Sequence, residues 1–149
     1  MMKKTILALT LLASGMAVSL PALSDESNPA IVHRQGIYQI AGGHMTAIKS
    51  ILFLGFDAPQ DVTFHAQSIL DAFAHMGNSY PPGSDQGETK AKPEIWQNFD
   101  KVKELAKNTR EAAGKLVEVS KSGDKEASMV AFKQLGGTCK ACHDDFRKK

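Results

Sequence analysis

Cys139-Lys140-Ala141-Cys142-His143 stands near the end of the 149-residue chain and contains its only two cysteines. Two thiols three residues apart on a helix project to nearly the same side. An exported chain with two cysteines admits a disulfide. The spacing also fits a redox dithiol of the thioredoxin type, but no stretch alternates as the strands of such a sheet would. A zinc site needs a fourth ligand and usually a second close cysteine pair. The arrangement that uses all three residues is haem attachment. Each thiol adds across one haem vinyl group to form a thioether, and the adjoining His143 is placed to swing under the iron as proximal ligand. The expected cofactor is therefore one haem c, held by Cys139 and Cys142, with His143 as the metal ligand.

The other end of the chain reads as an address. Lys3 and Lys4 precede an apolar run from Ile6 to Leu12, and small residues continue it to Leu20. Pro21 breaks the run, and Ala22-Leu23-Ser24 places small residues before a cut. This is the pattern of a secretory signal peptide over residues 1–24, cleaved after Ser24, with the mature domain at 25–149. The apolar core is too short to span a bilayer comfortably, so no membrane insertion is expected. The expected location is the periplasm. Removing the leader takes Lys3 and Lys4 from 18 basic residues, leaving 16 against 16 acidic ones and no net charge. That balance removes the electrostatic case for nucleic acid as a partner.

The segments that must position the haem are helical in pattern. The first runs from Pro29 toward Gly55, with Ile31, Arg34, Ile37-Tyr38, Ala41, Met45, Ile48 and Leu52 recurring every three or four residues. Gly42-Gly43 within it would bend the helix or admit a close neighbour. The second starts near Asp61 and stops at Gly77, with Val62, Ala66, Ile69, Phe73 and Met76 on one stripe. Residues 78–92, rich in Pro, Gly and polar groups, read as a long surface connection. A third helix opens at Pro93-Glu94 and keeps its rhythm through Phe99, Val102 and Thr109 to Gly123. Asp124 caps the fourth, whose stripe runs through Met129, Phe132, Leu135, Cys139, Cys142 and Phe146. The fold class is all-α, an antiparallel four-helix bundle with covalently attached haem. Phe73, Met76, Phe99, Met129 and Phe132 are expected in its core.

A haem motif on the last helix of a four-helix bundle resembles the class II c-type cytochromes, the cytochrome c′ family. The ending Cys139-Lys140-Ala141-Cys142-His143-Asp144-Asp145-Phe146-Arg147 is similar to the family's, in which CxxCH is followed by two residues, an aromatic and a basic residue. Lys92-Pro93-Glu94-Ile95-Trp96 resembles its third-helix entry, and His33-Arg34-Gln35 its first-helix motif. The resemblance implies that the residue four after this Arg, Tyr38, faces the iron opposite the histidine. A Met there would give a six-coordinate electron carrier of the c-556 type. A bulky residue leaves the iron five-coordinate and open to small gases.

Met45 is the rival axial ligand. It lies seven residues after Tyr38, about 10 Å along the helix, so both cannot stand over one iron. The resemblance favours Tyr38. It also gives Arg34 a haem propionate as partner and lets Arg147, one turn after His143, cover the proximal face or bond a propionate. His44 falls at a different angle from Tyr38 and is expected to face out; His33, His65 and His75 have no ligand spacing and read as surface or rim. The expected function is binding of nitric oxide or carbon monoxide, with one-electron redox capacity. The alternative is a low-spin electron-transfer cytochrome ligated by Met45. No distal acid–base group is placed for turnover, so the protein is not expected to be an enzyme. The resemblance further implies a homodimer. The redox partner proteins are not identified by the sequence.

Overall fold

The computed structural model describes residues 28–149. The expected leader and its cleavage point lie outside these residues. Five helices follow in order: α1 Pro29–Phe53, α2 Asp61–Ala74, α3 Glu94–Gln97, α4 Phe99–Ser120 and α5 Lys125–Phe146. Local chemistry marks their starts. Asn28 Oδ1 accepts from Ala30 N at 3.0 Å just before Pro29. Asp124 Oδ1 accepts from Ala127 N at 2.9 Å. Gly123, at φ +74°, makes the turn between α4 and α5 in a region that L side chains rarely adopt.

The expected third helix is divided. Asn98 leaves helical geometry at φ −126° and ψ 40°, and both its backbone N–H and its side-chain amide donate to Glu94 O. A single-turn α3 therefore precedes α4. Asn side chains compete with the backbone ladder in this way, and apolar spacing alone does not register it. The four long helices still form the expected bundle. α1 runs unbroken through Gly42-Gly43, where an added Cβ would meet nothing within 4 Å.

The α1 N-terminus, the α2 C-terminus and the α5 C-terminus share one end. The 75–93 connection ties them: Gln35 Nε2 donates to Glu88 O, Lys92 N to Phe146 O, and Lys148 N to Lys90 O. α1 and α5 are therefore antiparallel, as are the sequential pairs α1–α2 and α4–α5. Burial of Ile48, Ile69, Leu116 and Leu135 from all four long helices makes the centre. Packing is close for α1 on α2, α2 on α4 and α4 on α5, whereas α1 and α5 touch only lightly. That loose seam opens a space at the end where the connection crosses. Among the described residues no helix is long and apolar enough to cross a membrane.

Candidate haem site

A cavity of about 1410 Å³ occupies the loose seam, walled by α1, α2, α4, α5 and the connection. This exceeds the roughly 300–1,000 Å³ of ordinary small-molecule pockets. Cys139, Cys142 and His143 line it from α5, facing a wall that includes Ile69, Phe73, Met76, Ile95 and Val102. Both cysteines are free and partly buried, and burial pushes both thiols above their ordinary range. Partial desolvation and the neighbouring Arg147 lower His143, with Asp144 opposing. A lowered value keeps the imidazole neutral, the form that ligates a metal. Two thiols and a neutral imidazole converging on a large, mostly apolar cavity fit a c-type haem.

Tyr38 and Met45 both line this cavity. Their heights differ. A Cβ placed on Gly136 of α5 would lie 4.0 Å from the Met45 methyl carbon. Met45 and Gly136 thus mark one level of the antiparallel α1–α5 pair. Seven residues back along α1 is Tyr38, and seven forward along α5 is His143. Both steps move about 10 Å toward the same end. Tyr38 shares the level of His143, and Met45 lies two turns away.

Tyr38 is held in place. Its hydroxyl hydrogen-bonds that of Tyr80 at 2.7 Å, and its ring meets Phe73 edge-on at 6.1 Å. Burial, reinforced by Tyr80 and by the Cys142 thiol, pushes the Tyr38 phenol far above its ordinary value; Arg34 opposes. The phenol stays protonated throughout the ordinary pH range.

Arg34 lines the cavity but is only 2% exposed, and its terminal nitrogens are engaged. Nη1 donates to Ser79 O at 2.8 Å and Ser84 Oγ at 3.1 Å. Nη2 donates to Ser84 O at 2.9 Å and Thr89 Oγ1 at 3.0 Å. The guanidinium carbon sits 4.9 Å from the Tyr80 ring centre and 5.7 Å from that of Trp96. Its chief work is to hold the connection, and only Nε–H is left over for the expected propionate. The connection is correspondingly less of a surface feature than its composition suggests, since Ser79 and Ser84 are buried.

The remaining expectations divide. Gln35 lines the cavity rim, exposed, with its amide on Glu88 O at 2.7 Å. Arg147 lines the cavity beside His143, but it does not continue the helix. It is the C-cap of α5, in extended geometry, paired with Ala91. Phe73 and Met76 are buried, and Met129 and Phe132 pack partly buried against the core. Phe99 is 36% exposed and faces the cavity instead of filling the core. Tyr80 is a site residue that the sequence leaves unmarked. Its place within a Pro- and Gly-rich stretch gives no periodic signal.

The bundle and its last-helix attachment motif define a class: helical proteins that carry a c-type haem between their helices. The family model described as Cytochrome C′ matches residues 29–147. A cytochrome c′ of Allochromatium vinosum is 36% identical over 155 aligned residues, covering 98% of this chain and 99% of that protein. A solved cytochrome c′, described as having an unusual ligand-controlled dimer dissociation, superposes with a TM-score of 0.76. It is 36% identical over 81% of this chain and 95% of its own. A carbon monoxide-bound variant of cytochrome c′ from Alcaligenes xylosoxidans superposes at 0.73, with 25% identity over 80% of this chain and 94% of its own. The chain belongs to the cytochrome c′ family, and with that membership comes a covalently bound c-type haem.

Proposed function

We propose that this is an exported, periplasmic haem protein that binds small diatomic gases, nitric oxide and carbon monoxide, at a five-coordinate iron. Cys139 and Cys142 tether one haem through two thioethers, and His143 supplies the proximal imidazole. The haem supplies an iron that passes between ferric and ferrous states and takes a diatomic ligand. The role is binding with one-electron redox rather than catalytic turnover.

The observation that carries this reading is that Tyr38 from α1 and His143 from α5 line one cavity, at a similar height when helix rise is counted from the Met45–Gly136 approach. A protonated phenol is a poor ligand, so Tyr38 guards the coordination position without filling it. Its bond to Tyr80 keeps the ring from swinging freely, so an entering gas must displace it. Carbon monoxide bound to a variant of the Alcaligenes xylosoxidans relative supports the same chemistry here. The low-spin carrier ligated by Met45 is the second reading, because Met45 reaches the same cavity.

Intact mass and absorption spectra of the purified holoprotein test the proposal together. The mass should exceed that of the processed polypeptide by one haem that resists acid extraction. The ferrous spectrum should be high-spin and change on adding nitric oxide. Freely extracted haem would overturn the attachment, and a low-spin ferrous spectrum would favour the Met45 reading.

The protein is further proposed to form a homodimer. Val32 and Ile40 on α1 and Phe64 on α2 are all more than half exposed, which leaves apolar surface on the first two helices. The dimer dissociation described for the relative supports this assembly. Sedimentation at high micromolar concentration should show a dimer; monomer alone would reject it.

A further inference from the structure

Tyr38 and Tyr80 both line the haem cavity, and between them they hold one hydrogen more than their mutual bond uses. A phenol hydroxyl carries one hydrogen and accepts as well as donates. The 2.7 Å contact spends one hydrogen of the two, and neither oxygen has a second protein partner among the described residues. The rings packed on the pair, Phe73 against Tyr38 and Trp96 and Phe99 against Tyr80, offer no acceptor oxygen. Burial keeps both hydroxyls protonated by pushing each phenol above its ordinary value, with Tyr38 and Arg34 opposing at Tyr80. An unspent donor in such a place is unfavourable until an acceptor enters. Arg34 adds charge on the same side, its guanidinium carbon 4.9 Å from the Tyr80 ring centre. Its four bonds go to neutral serine and threonine oxygens, which leave that charge in place. A cation so close polarises the Tyr80 hydroxyl and favours negative charge nearby.

We infer that the Tyr38–Tyr80 pair is a hydrogen-bond donor for small anions held at the ferric iron, a ligand class beyond the two neutral gases. The inference rests on the proposed reading in which Tyr38 guards the open coordination position. The spare hydroxyl hydrogen turns to suit its acceptor, so the pair can donate to a ligand while its two oxygens stay bonded to each other. Hydrogen bonds to ions are roughly twice as strong as those between neutral groups. An anion therefore gains more from the pair than carbon monoxide, a weak acceptor. Fluoride is the fitting probe, because it is a strong acceptor and a single atom that asks the least movement of the Tyr38 ring.

The test is titration of the ferric holoprotein with fluoride, followed by absorption, for the wild type, Y38F and Y80F. Fluoride should bind the wild type, and each variant should bind it about tenfold or more weakly, the loss expected for one hydrogen bond to a charged group. Affinity of the ferrous protein for carbon monoxide should change by a smaller factor. A second measurement starts from the wild type alone. The iron–fluoride stretching frequency, read by resonance Raman, should shift in heavy water, and the shift should diminish in Y80F. Three results would overturn the inference: a high-spin wild type that takes up nitric oxide but not fluoride, variants that bind fluoride as tightly as the wild type, or equal losses for fluoride and carbon monoxide. A low-spin wild type that takes up neither nitric oxide nor fluoride would instead overturn the five-coordinate reading, and this inference with it.

Discussion

Replacing Tyr38 with alanine should speed carbon monoxide binding to the ferrous protein by about tenfold or more, a barrier lower by roughly 1.4 kcal/mol. The ring stands at the level of His143 and is fixed by Tyr80 and Phe73. Removing it clears the approach without touching the attachment residues. Tyr38→Phe should have a smaller effect, because the ring remains and only the hydroxyl bond is lost. Tyr38→Met should move the spectrum toward low spin by placing a thioether where the phenol was. Met45→Leu should leave the resting spin state alone, because Met45 packs two turns away against Gly136. Stopped-flow mixing with carbon monoxide and absorption spectra separate these results. A low-spin wild type that Met45→Leu converts to high spin would assign the ligand to Met45.

The second large effect concerns stability. Arg34→Leu should lower the unfolding free energy by roughly 3–5 kcal/mol, at about 1 kcal/mol or more for each acceptor stripped of its donor. This one guanidinium donates to four acceptors on the connection, Ser79 O, Ser84 O, Ser84 Oγ and Thr89 Oγ1, of which Thr89 Oγ1 keeps a second donor in Ala91 N. The side chain is buried, so water does not readily replace it. Arg34→Lys should recover only part of the loss, since an ammonium cannot span four acceptors as a planar fork does. Urea denaturation of the holoprotein measures both. A loss below 1 kcal/mol for Arg34→Leu would show that the connection is held chiefly by other contacts.

What the sequence determined by itself was whatever lies within a few residues along the chain. CxxCH places two thiols and an imidazole on one turn, and that local grouping survives in the structure on the cavity wall. Apolar spacing marked the four long helices, and Asn98 broke the third because its side-chain bond to Glu94 competes with the ladder. Tertiary structure decided the rest, since helix periodicity specifies a face but not the height of one helix against another. Tyr38 and Met45 share α1 and the same cavity. The Met45–Gly136 approach, which only the packed helices supply, sets Tyr38 near the level of His143 along the bundle. Arg34 reads as a charge near a haem edge until residues 45 to 55 positions away arrive to take its hydrogen bonds. His44 and His65 have no common motif, yet packing of α1 on α2 brings their nitrogens to 2.8 Å. Each of these meetings depends on how far one packed helix slides along another, a quantity written in no single stretch of residues.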